Sequence, residues 1–233
     1  MKISNSSVRR YTICASATGR SEEEISRAAF FGEELGADLV ELRLDAVEGI
    51  DREKVRAVFR MTEGIKVPRI ATIMPSSIFG AFCGDPAQRG ELLLEAADHA
   101  DFVDVGVEIG PSTGGLLRRL SLKTKVILSW HAKELLPIEE VKRFVKSWSG
   151  CDVYKIAMPA RRAEDNIRAM EASLALEGVR RIVFCYGDEG RASRLLSPLF
   201  GSEWVYGALR RDLETAPGQV EVEALKKIKE ALS

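Results

Sequence analysis

Cys151-Asp152-Val153-Tyr154-Lys155-Ile156-Ala157-Met158-Pro159 is a short apolar run closed by a proline, and it reads as a buried strand. Ahead of it, residues 137–148 carry apolar side chains at helical spacing. Their opening, Pro137-Ile138-Glu139-Glu140, puts proline at an early helical position and acids in the first turn. Ahead of that helix, Val126-Ile127-Leu128-Ser129-Trp130-His131 is a second strand pattern. These three segments form one strand–helix–strand unit, and the same alternation runs along the whole chain. Strand-like runs begin near Tyr11, Asp38, Arg69, Asp101, Lys125, Val153, Arg181 and Trp204. Each precedes an amphipathic stretch: 21–35, 51–61, 86–100, 115–120, 137–148, 162–176, 191–199 and 220–232. Ser21-Glu22-Glu23-Glu24 supplies an N-cap with acids behind it. Such alternation implies a parallel sheet with crossover helices, and eight repeats in 233 residues fit a closed (β/α)8 TIM barrel. A doubly wound open sheet is the other arrangement of this pattern, but no Gly-x-Gly-x-x-Gly follows the first strand.

Nothing divides the chain. There is no Pro/Gly/Ser-rich linker and no long run of like charge, so residues 1–233 read as one domain. A hydrophobic content of 45% can fill a sizeable core. The net charge of −1 offers no electrostatic footprint for nucleic acid or an anionic membrane. Met1-Lys2-Ile3-Ser4-Asn5-Ser6-Ser7 lacks an apolar signal core, and no stretch approaches the roughly 20 apolar residues of a membrane span. The expectation is a soluble, cytoplasmic protein. Cys14, Cys83, Cys151 and Cys185 are too scattered for a zinc site. Of the two histidines, His99 ends a helical pattern and reads as a surface residue, which leaves His131 for chemistry.

A strand interior is an expensive place for the Lys155 ammonium. Desolvation disfavours the charged form, lowers the pKa and makes the amine a nucleophile near neutral pH. The same residue can also be read as a lysine snorkelling from a strand end, or as one paired with a buried acid. His131 closes the preceding strand, and an amine beside an imidazole is the equipment of an imine-forming enzyme. In a barrel the functional side chains gather at C-terminal strand ends. Those ends carry Ser16, Glu41-Leu42-Arg43-Leu44-Asp45, Thr72-Ile73-Met74, His131 and Lys155, with Arg194 and Thr215-Ala216-Pro217-Gly218-Gln219 in later loops. Glu41 and Arg43 share one face of their strand, inward if Leu42 and Leu44 lie under the helices. A buried structural ion pair is the other reading of those two charges.

At these residues the chain resembles the type I 3-dehydroquinate dehydratase family, along nearly its whole length from Cys14 to Gln219. The resemblance rests on Glu41-Leu42-Arg43-Leu44-Asp45, the histidine after strand five, Lys155-Ile156-Ala157, Ser193-Arg194-Leu195 with Phe200-Gly201-Ser202, and Thr215-Ala216-Pro217-Gly218-Gln219. It implies a (β/α)8 lyase of the shikimate pathway in which Lys155 forms an imine with the C3 ketone of 3-dehydroquinate. His131 then moves the C2 proton to the departing C1 hydroxyl. No metal or organic cofactor is needed. Substrate binding falls to Ser16, the Glu41-Leu42-Arg43 segment, Arg194, Thr215 and Gln219, with Arg194 and Gln219 on the carboxylate. A homodimer is expected, with no nucleic-acid partner. One stretch departs from the family, which carries Thr-x-Arg at the end of strand three and Glu-Gly-Gly soon after. Here Thr72-Ile73-Met74-Pro75 and Ile78-Phe79-Gly80 stand in those places. An imine-forming aldolase-type barrel and a non-catalytic relative that binds a small acid are the competing readings.

Overall fold

The computed structural model describes residues 11–232; the Met1–Ser7 opening lies outside them. Eight strands, β1 (Ile13–Ala17), β2 (Leu39–Arg43), β3 (Arg69–Thr72), β4 (Phe102–Gly106), β5 (Lys125–His131), β6 (Val153–Pro159), β7 (Arg181–Tyr186) and β8 (Val205–Ala208), alternate with eight helices. These are α1 (Glu22–Glu34), α2 (Arg52–Met61), α3 (Pro86–Ala96), α4 (Thr113–Leu120), α5 (Ile138–Ser147), α6 (Asp165–Leu174), α7 (Arg191–Leu196) and α8 (Val222–Ala231). Side-chain caps start three of the helices: Ser21, Asp51 and Asp85 accept from the N–H groups of Glu24, Lys54 and Gln88. No helix among the described residues is long and apolar enough to cross a membrane.

Every ladder is parallel, neighbours follow chain order from β1 to β7, and β1 also pairs with β8, which curls the sheet round as expected. A short β9 (Val220–Glu221) adds to the far side of β8. One seam departs from a regular barrel. Between β7 and the segment leading into β8 the pairing shrinks to a single bridge, Arg181 with Ser202. Serine hydroxyls satisfy the β7 donors there: Val183 N–H donates to Ser202 Oγ at 3.0 Å, and Cys185 N–H to Ser193 Oγ at 2.8 Å.

Period-two alternation sorts the side chains. Outward residues such as Leu42, Val103, Leu128 and Ile156 pack beneath the helices with Ile25, Val58, Leu93 and Val141. Inside, Cys14, Leu39, Ile70, Phe102, Ile127 and Val153 form an apolar floor. Two residues further along the same six strands stand Ser16, Glu41, Thr72, Asp104, Ser129 and Lys155, all buried and all polar. The floor thus closes the barrel below a ring of polar groups that faces the C-terminal mouth.

Candidate active site

A cavity of about 40 Å³ opens above that ring, bordered by Glu41, Met74, Phe79, His131, Lys155 and Arg194. Lys155 is its centre. The side chain is only 6% exposed, and its Nζ donates to Asp104 Oδ2 at 2.8 Å with Glu41 Oε1 at 3.9 Å. The ammonium also lies over the face of the Tyr206 ring, 4.5 Å from its centroid. Glu41 is fixed in turn, accepting from Ser16 Oγ and Thr72 Oγ1 at 2.9 Å each.

This arrangement corrects the expectation of a lowered lysine pKa. Burial does pull it down, but Asp104 and Glu41 outweigh burial and hold it above its ordinary value. The reading as a lysine paired with a buried acid describes the resting state. Asp104 is held below the usual carboxylate range despite its burial, chiefly by Lys155. His131, at the end of β5, is pushed down to about 3 by burial first and then by the Lys155 charge, so it is neutral. Its Nδ1 is buried without a hydrogen-bond partner among the described residues.

Arg194, buried at 4% exposure, borders the same cavity. Burial pushes its pKa down to about 10. One amino group donates to the Pro217 carbonyl, and the guanidinium stacks over Phe184 with its central carbon 4.5 Å from the ring centroid. Its Nε has no partner among the described residues. A desolvated guanidinium with a spare donor is a receptor for a carboxylate. Arg191, three residues earlier, instead pairs with Asp188 on the surface.

Arg43 does not pair with Glu41. It makes a two-pronged bond to Asp45 and also donates to the carbonyls of Thr215 and Phe79, tying the loops after β8 and β3 together. In the β8 loop the Gln219 carbonyl oxygen accepts from Thr215 N–H at 2.8 Å and Thr215 Oγ1 at 3.2 Å, while its Nε2 donates to Ser16 at 3.3 Å. The loop leans on the turn after β7. A Cβ at Gly218, where φ is +80°, would stand 2.2 Å from the Gly187 carbonyl oxygen, so only glycine fits.

Two sequence-based assignments need correction. Leu42 cannot touch a molecule in the cavity, because alternation turns it outward into the core under the helices. Ser16 is fully buried beneath the cavity and supports Glu41 and Gln219 rather than bordering the space. Met74 and Ile78 do border it, beside Phe79, Phe184 and Tyr186, and make that wall apolar. Asp104 is the important omission from the sequence-based set. Its signal was the one that exposed Lys155, a charge inside an apolar strand, Phe102-Val103-Asp104-Val105.

The sequence model of the family described as type I 3-dehydroquinase matches residues 13–233. The chain is 32% identical to the 3-dehydroquinate dehydratase of Methanopyrus kandleri over 94% of its own length and 99% of the relative's. It is 31% identical to that of Syntrophobacter fumaroxidans, covering 94% and 95% of the two chains. The 3-dehydroquinate dehydratase structure from Aquifex aeolicus superposes with a TM-score of 0.78 at 26% identity, covering 94% of this chain and 98% of that one. A type I 3-dehydroquinate dehydratase from Clostridium difficile shares the fold, with a TM-score of 0.83 at 22% identity over 96% and 92% of the chains.

Proposed function

The chain belongs to the type I 3-dehydroquinase family, and from that premise we propose that Lys155 and His131 are the residues with which it dehydrates 3-dehydroquinate. The reaction is that of a carbon–oxygen lyase in the shikimate pathway and runs through a Schiff base. That assignment displaces both the aldolase-type and the non-catalytic readings. The carrying observation is the Lys155–Asp104 pair of 2.8 Å at the base of a cavity that His131 and Arg194 also border.

Lys155 rests as an ammonium and must shed a proton before attack. Asp104 is the adjacent acceptor, and it can return that proton to the carbinolamine hydroxyl as water leaves. The nitrogen then carries a positive charge again, as a protonated imine. A pair of carboxylates that raises the lysine pKa therefore suits this chemistry, because the same charges hold the iminium that acidifies the neighbouring C2–H. Neutral His131 takes the C2 proton and passes it to the C1 hydroxyl, which departs as water. Hydrolysis of the imine frees 3-dehydroshikimate and restores the amine.

In this proposal Arg194 and Gln219 hold the substrate carboxylate, aided by Thr215, while Glu41 and Arg43 face the ring hydroxyls. The Met74 thioether offers the substrate no charged donor in place of the family arginine, which removes a contact worth roughly 1.5–3 kcal/mol. Arg43 ties together the loops after β8 and β3, both of which border the cavity. The homodimer implied by the resemblance belongs to the same proposal, and sedimentation equilibrium returning a monomer mass would refute it.

Borohydride added during turnover of 3-dehydroquinate tests the residue assignment. A stable adduct mass is expected on the peptide containing Lys155, with enone absorbance reporting turnover. An adduct on another lysine, or turnover without any adduct, overturns the assignment.

A further inference from the structure

Ala132, the residue after His131, is held by both of its backbone polar groups. Its N–H donates to the Ala157 carbonyl of β6 at 2.9 Å, and its carbonyl accepts from the Tyr186 hydroxyl at 2.9 Å. Tyr186 is the last residue of β7, and β6 lies between it and β5, so this bond spans the intervening strand at the mouth of the barrel. The Tyr186 ring is itself held from the loop after β3. Phe79 meets it edge-on with centroids 5.0 Å apart, and the Phe79 carbonyl accepts from Arg43 at 3.0 Å. Phe79 has φ 55°, a left-handed conformation that bulky side chains seldom take.

His131 needs such support. An imidazole that serves as base and then acid must keep one orientation, which a hydrogen bond to its second nitrogen commonly secures. Here Nδ1 is buried with no such partner among the described residues. What is fixed instead is the main chain next to the ring. We propose that Tyr186 is a positioning residue for His131, acting through the Ala132 carbonyl. The proposal rests on the reading of His131 as the base.

Tyr186→Phe isolates the hydroxyl, since the ring and its contact with Phe79 remain. Loss of the clamp lets the strand end shift by a fraction of an ångström, and kcat is expected to fall roughly tenfold or more while KM stays within about twofold. Borohydride should trap as much imine as in the parent protein, because Lys155 is untouched. Introduced into His131→Ala, the same substitution should cause no further loss, as no base is left to position. An unchanged kcat in the single variant, or an equal loss in both backgrounds, overturns the proposal. Normal turnover by His131→Ala alone refutes the parent assignment and the clamp with it, an outcome that the single variant distinguishes from failure of the clamp.

Discussion

The floor of the barrel and the polar ring above it are built by the same six strands, two residues apart, yet they are stabilised in different ways. On the floor, Leu39, Ile70, Phe102, Ile127 and Val153 need only area and shape. Each such side chain contributes about 1.5–3 kcal/mol by leaving water, whatever its exact neighbours. In the ring, each polar group depends on a particular partner. Glu41 relies on Ser16 and Thr72, and Lys155 on Asp104. Removing a floor methyl loses that methyl. Removing a ring partner strands a buried charge, and the cost is that of the group left behind.

The sharpest break of this contrast is Lys155→Met, which makes one ring position resemble the floor. Turnover and the borohydride adduct should vanish. Stability should fall by about 3–5 kcal/mol in denaturant melts, because Asp104 and Glu41 then face each other without their cation. Adding Asp104→Leu should restore part of that stability with activity still absent. Retention of full stability by the single variant would mean that the ring is not ionised as described.

Next in size is Asp104→Asn, which keeps the volume and removes the charge. A loss of roughly 100-fold in kcat is expected, with KM changed only a few-fold, since the carboxylate serves the lysine proton and the iminium rather than substrate capture. Steady-state kinetics decide it. A larger effect on KM than on kcat would relocate Asp104 to binding.

Acidification probes the cavity above the ring without mutation. His131 has a folded pKa of about 3, below its ordinary 6.5, so between these values the unfolded chain binds a proton that the native protein does not. Stability linked to this group is therefore complete above pH 6.5 and declines as pH falls towards 3. Its imidazole NMR signals should show no titration between pH 5 and 8, and a midpoint near 6.5 would contradict the burial described.

The smallest effect is expected on the floor. Ile127→Val should cost about 0.5–1.5 kcal/mol of stability and leave kcat within twofold of the parent. A substantial loss of turnover would show that floor packing sets the geometry of the ring.

Much of this was legible in the linear chain because its causes are local. Hydrophobic periodicity marks the strands and helices, and alternation by two places Glu41 and Arg43 inward. A charge inside an apolar strand singles out Lys155, and the same rule turns Leu42 away from the cavity. The partners were not legible, since they depend on how the curled sheet brings non-neighbouring strands together. Asp104 lies 51 residues before Lys155, and β5 separates their strands. Arg43 finds Asp45 and two distant carbonyls rather than Glu41, and Tyr186 reaches Ala132 across β6. The sequence by itself determined which side chains enter the barrel and at what height. Only the tertiary structure decided which of them meet, and so that Lys155 rests as a cation: desolvation belongs to the residue's own strand, whereas the carboxylates that overcome it arrive from two others.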